Sequence, residues 1–244
     1  MSQKLSLPSR DASTGRSQAK LNPQKLTPTP EIYLGQLSYL SSRTADLLEE
    51  ASILAPSTSY RQKQLMIAEH YRQRHQELAS MISKLGAETV DAEEVAAERI
   101  DELLRLTAGV GWQQSIMRLY ILFGMLEHSA RELARGLTPA RRHKVEELFK
   151  ADLLEEYCRT ALISEIEKVP GLASMLALYG RALVADALLE IKNSVDLTEI
   201  LPEDYDPESD LAQRNRAQFK ALEPFTSELI AAHTVRMDRL GLTA

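Results

Sequence analysis

The chain has 244 residues, 44% of them hydrophobic and 26% charged, with a formal net charge of −6, the composition of an ordinary soluble globular protein. Aromatics at 5%, with only ten glycines and ten prolines, argue against a turn-rich β-sandwich or β-barrel. The single Cys158 excludes an internal disulfide framework and a cysteine-based zinc site.

Residues 1–30 are rich in Ser, Thr, Pro and Gln and have no hydrophobic period, which predicts a disordered tail. Lys4, Arg10, Arg16, Lys20 and Lys25 face one acid there, Asp11, so the tail carries +4 and residues 31–244 carry −10. So acidic a body lacks the basic field that nucleic-acid binding draws on, and no nucleic-acid partner is expected. The N-terminus has no apolar leader, and no apolar run approaches the roughly eighteen residues of a membrane span. A cytoplasmic chain with no membrane partner is the expectation.

From Glu31 onward the pattern is helical. The first helix is predicted from Ile32 to Leu54, ending at Ala55-Pro56, because the residue before proline avoids the α region. Ser57 or Ser59 caps the second, which ends near Lys84-Leu85-Gly86. Asp91 opens a shorter amphipathic helix with acids in its first turn, where the helix dipole favours them. After the Gly109–Gly111 break comes SIMRLYILFGML, residues 115–126, apolar on every side except Arg118, which predicts a helix buried all round. Thr138-Pro139 starts the next, running through to Lys168. Val169-Pro170-Gly171 separates it from a second mostly apolar helix. An acidic loop follows, and a last helix runs from Leu211 to Arg239 with a bend at Glu223-Pro224. Six long or medium helices, with the shorter one at Asp91 and no strand, predict a four-helix bundle with additional flanking helices.

Chemistry-bearing motifs are few. Neither GxGxxG nor GxxxxGK[ST] occurs, so no phosphate-cradling loop is expected, and no GxSxG elbow supports a serine nucleophile. Cys158 lies mid-helix with no histidine near it in sequence, which fits a structural thiol. A bundle can also hold two iron ions between carboxylates and imidazoles, with Glu-x-x-His on two helices because i and i+3 share a face. No Glu or Asp in the chain has His three places on. His70 and His75 point about 140° apart on their helix and cannot share a metal. Arg118 and Asp186 sit deep in apolar runs, where an unpaired charge is costly. They predict a buried polar network with Arg181 and Glu127, in which Asp186→Ala costs about 3–5 kcal/mol.

Four stretches, LGQLSYLSSRTADLLEEASILAP at 34–56, GWQQSIMRLYILFGM at 111–125, VPGLASMLALYGRALVADAL at 169–188 and HTVRMDRLGLTA at 233–244, resemble the tRNA-hydroxylase-like (MiaE-like) branch of the ferritin-like proteins found in actinobacteria. The resemblance implies a ferritin-like four-helix bundle over residues 31–244, and relatives that are non-haem di-iron oxygenases. Position by position it implies lost ligands: Gln36, Gln114 and Phe123 stand where acids belong, Arg72 where Glu-x-x-His begins, and Leu154 in place of a histidine. Asp46, His75 and Asp186 remain as metal candidates. Glutamine supplies no negative charge to two iron ions, and Arg72 adds a positive one. The reading is therefore a divergent bundle with an incomplete di-iron site, needing no cofactor and acting as a non-catalytic binding or structural module. A homodimer through an apolar helix face is the expected assembly. The competing reading is a di-iron hydroxylase built from some of Asp46, Glu69, His75, Glu127, His128, Glu156 and Asp186.

Overall fold

The computed structural model describes residues 22–243. The tail expected over 1–30 lies largely outside them, but its last part belongs to the folded body. Pro23–Leu26 forms a 3-10 turn, Leu26 is fully buried, and the Thr27 hydroxyl donates to the Leu133 carbonyl at 2.6 Å.

Helix α1 runs over Pro30–Ile53, with Pro30 in its first turn, where proline's missing N–H costs nothing. Ser57 caps α2, Thr58–Ser83, by accepting from the Tyr60 N–H at 3.3 Å. Helix α3, Thr89–Leu106, crosses α1 at Gly35, where a Cβ would stand 2.0 Å from the Ala92 carbonyl oxygen. Only glycine permits that approach.

The all-apolar segment forms one continuous rod. Helix α4, Gly111–Arg118, passes into a π-helical turn, Leu119–Phe123, and then into α5, Gly124–Leu133. All five residues of the π turn are buried, as a helix apolar all round requires. The single helix expected from Thr138 to Lys168 is instead two, α6 over Pro139–Leu148 and α7 over Leu153–Lys168. No proline or glycine lies between them. Phe149 leaves the helical path and buries its ring against two arginines, and that burial decides the break.

Gly171 takes a positive φ of 82° ahead of α8, Leu172–Ser194. The last helix, α9, spans Leu211–Arg239 and continues through Pro224.

Four rods close a ring: α1 packs on α2, α2 on α7, α7 on the α4–α5 rod, and that rod back on α1. Helix α3 flanks α1, while α8 lies along the rod and touches both α3 and α9. The described residues contain no strand. The fold is all-α, as the periodicity predicts.

Candidate functional site

Inside the ring, α2 supplies an apolar stripe through Ile67, Tyr71, Leu78 and Ile82, and Arg74 lies on it. Its guanidinium is 4% exposed and pairs with Glu127 of α5, which is just as buried. The Tyr71 hydroxyl donates to the same Glu127 oxygen at 2.7 Å, and Arg74 Nε donates to the Ser41 Oγ of α1 at 3.0 Å. Ser41 in turn donates to the Leu37 carbonyl of its own helix at 2.7 Å, so each member has a partner. The guanidinium also lies 4.0 Å from the Tyr71 ring centre and 4.8 Å from that of Phe149. A second arginine, Arg131, lies 4.9 Å from the Phe149 ring centre and 3.8 Å from the other Glu127 oxygen.

The electrostatics follow from this packing. Burial pushes the Glu127 carboxyl up, but Arg74, Tyr71 and Arg131 together outweigh it and hold the group below the usual carboxylate range. Burial first, then Glu127, drives the Tyr71 phenol well above its ordinary value. The same two influences act on the Cys158 thiol of α7, where Glu155 and Asp152 add to the burial, and it too is pushed well up. A thiol held protonated in this way is a poor nucleophile.

The residues singled out from the sequence lie elsewhere. Asp46 accepts from Arg43 at 2.8 Å and from Arg72 at 3.1 Å, a surface seam between α1 and α2. His75 meets Glu93 of α3 at 2.9 Å, and Ser38 donates to that carboxylate at 2.6 Å. Asp186 is half-buried on α8 and has no hydrogen bond or ion pair. Gln36 and Gln114 sit at half-buried positions, while Phe123 and Leu154 are core residues.

The expected network of Arg118, Arg181, Asp186 and Glu127 does not assemble. Arg118 is buried, yet it donates to the Leu104 carbonyl at 2.9 Å and meets no carboxylate. Burial accordingly lowers its pKa. Arg181 is exposed and donates to the Thr243 carbonyl at 3.1 Å. Of the four, Glu127 alone enters the interior network, and its partner Arg74 was hidden among the charges of RQRHQE. The spacing Ile67, Tyr71, Arg74, Leu78 was the signal, since it places the arginine on the apolar stripe.

The donor set does not fit a di-iron centre. Among the described residues no group of three or more His, Cys, Asp or Glu is gathered where it could hold a metal ion. The interior carboxylate is already neutralised, and a fixed guanidinium beside it repels added cations. Where α3 and α8 flank the ring, a pocket of about 40 Å³ lies between them and α1 and α5, lined by Tyr33, Leu37, Leu126 and Ser129. That is room for a few waters. On the outer side, a groove of about 530 Å³ carries Arg236 and Arg239 against Glu155, at 3.4 and 2.6 Å, so its charges are largely paired.

A search of curated proteins finds no match to the chain. A family model described as the ferritin-like domain of actinomycetes matches residues 32–203, well over half of the sequence and all of the four-rod ring but the first two residues of α1. With that match, and with four packed rods around a polar centre, the chain belongs to the ferritin-like domain family of actinomycetes.

Proposed function

We propose that this protein is a non-catalytic ferritin-like module, a binding or structural protein of the cytoplasm whose bundle interior is held by fixed charges instead of metal. The observation that carries this reading is Glu127. It is a carboxylate inside the ring, and Arg74 and Tyr71 already engage it. An ion held there would have to displace a buried guanidinium that has no other anion to turn to. The pocket that Glu127 itself helps to line has a volume of only about 10 Å³, which adds support, because an oxygenase also needs a chamber for its substrate. The finer likeness to tRNA-hydroxylase-like proteins is, on this reading, one of shared helices with exchanged side chains.

Metal analysis by inductively coupled plasma mass spectrometry tests it, on chain expressed in iron-supplemented medium and purified without chelator. Less than about a tenth of an iron per folded chain is expected. About two irons per chain, the complement of a di-iron bundle, overturns the reading and makes Asp46, His75 and Asp186 the first residues to replace.

A further inference from the structure

Helix α8 is apolar enough and long enough to cross a membrane, yet only a third of its most apolar stretch is buried in the fold. Its buried side is a stripe through Leu172, Leu176, Gly180, Leu183 and Ala187. On the opposite side Met175, Leu178, Ala182, Ala185 and Leu189 follow one another at spacings of three, four, three and four. This is the alternation that sets the seam of a coiled coil. Leu178 is 67% exposed, Leu189 47% and Met175 42%. The seam runs about 21 Å at 1.5 Å per residue, with alanines at its middle that let a second backbone come close. Leu106 and Val110, also exposed, stand on the turn that the Tyr179 hydroxyl of α8 holds through the Thr107 carbonyl at 2.7 Å.

Two charges flank this seam. Arg181 lies on one side of it and Asp186 on the other, five residues on. Asp186 has no partner within its own chain, and Arg181 has a single carbonyl. When two such helices pack side by side and parallel, the residue flanking one edge meets the residue five places on along the facing edge. Arg181 of one copy then reaches Asp186 of the second, and a two-fold axis makes the same pair twice. An antiparallel pair sets each flank against its own kind, arginine edge to arginine edge. An anionic lipid surface offers phosphate to Arg181 but repels the carboxylate of Asp186.

We propose that a second copy of this chain covers α8, packed parallel across the Met175–Leu189 seam and locked by two Arg181–Asp186 ion pairs. The surface is on the outside of the ring, so the proposal stands independently of what fills the bundle centre.

Sedimentation velocity of the full chain, from about 1 to 200 µM, a range spanning ordinary micromolar affinities, tests it. The wild type should pass reversibly from monomer to dimer, and Leu178→Glu should remain a monomer with unchanged helical circular dichroism. Arg181→Asp and Asp186→Arg should each weaken the dimer about tenfold, and the double reversal should restore it. A wild type that stays monomeric overturns the proposal. So does a dimer indifferent to Leu178→Glu, which would use another face. A double reversal no better than the singles refutes the parallel pairing. A monomer that floats with phosphatidylglycerol vesicles would assign the face to lipid instead.

Discussion

Replacing Arg74 with methionine tests whether the interior pair holds the bundle together. Methionine keeps much of the aliphatic stem but leaves Glu127 buried with only the Tyr71 hydroxyl at 2.7 Å and Arg131 at 3.8 Å. Breaking one side of a buried pair costs about 3–5 kcal/mol. The guanidinium's contacts with the Tyr71 and Phe149 rings are lost as well, so about 4 kcal/mol is the working figure. At roughly 2–4 °C per kcal/mol for a chain of this size, the melting temperature falls by about 8–16 °C. Arg74→Met/Glu127→Leu, which removes both charges, should recover about 2 kcal/mol of that loss, the remainder being the stranded Tyr71 hydroxyl. The pH dependence carries the sign. In the wild type Glu127 titrates below the usual carboxylate range, so its contribution is present above the pKa of an unfolded glutamate and is lost as pH falls through the lower native value. In Arg74→Met the main opposition to burial is gone and that pKa rises. The deficit against wild type should therefore narrow as pH falls through the carboxylate range. Urea unfolding followed by circular dichroism at several pH values reads all of this. An Arg74→Met cost below about half a kcal/mol, or a double variant as costly as the two singles summed, refutes the reasoning.

Gly35→Ala places a methyl 2.0 Å from the Ala92 carbonyl oxygen, so α1 and α3 must separate, and about 3 kcal/mol of stability should be lost in urea titration. Burial raises the Glu190 carboxyl pKa, with Arg99 only partly opposing it. An acid raised in this way costs stability as pH climbs from the ordinary carboxylate range through the raised value, so Glu190→Gln should match wild type near pH 4 and gain on it toward pH 8. Asp186→Ala, with no partner to lose inside the chain, should shift unfolding in dilute solution by less than about 0.5 kcal/mol. The earlier expectation of a large loss there belongs to a pair that does not form. Cys158, fully buried with its thiol pushed up, should react with a disulfide reagent only as fast as the chain opens, and at once in denaturant.

The helices were largely legible in the sequence because their ends are marked by local chemistry. Pro56, Ser57 and Pro170-Gly171 each act within a few residues of themselves, and the end of α1 and the starts of α2 and α8 fall close to where those signals put them. The buried rod around Leu119–Phe123 was legible for the same reason, since a segment apolar all round has only one place to go. Its π turn was not, and neither was the break before α7, because Phe149 leaves the helix for a cavity that other segments build. The same difference separates the residues found from those missed. Arg118, Arg181 and Asp186 stand out in apolar surroundings along the chain, yet two of them face outward from α8. Arg74 is inconspicuous among charged neighbours, yet it lies at the centre of the ring. Period and composition determine which residues share a face. Which face meets another, and so which charge must find its partner in the dark of the core, is set by how rods far apart in sequence pack.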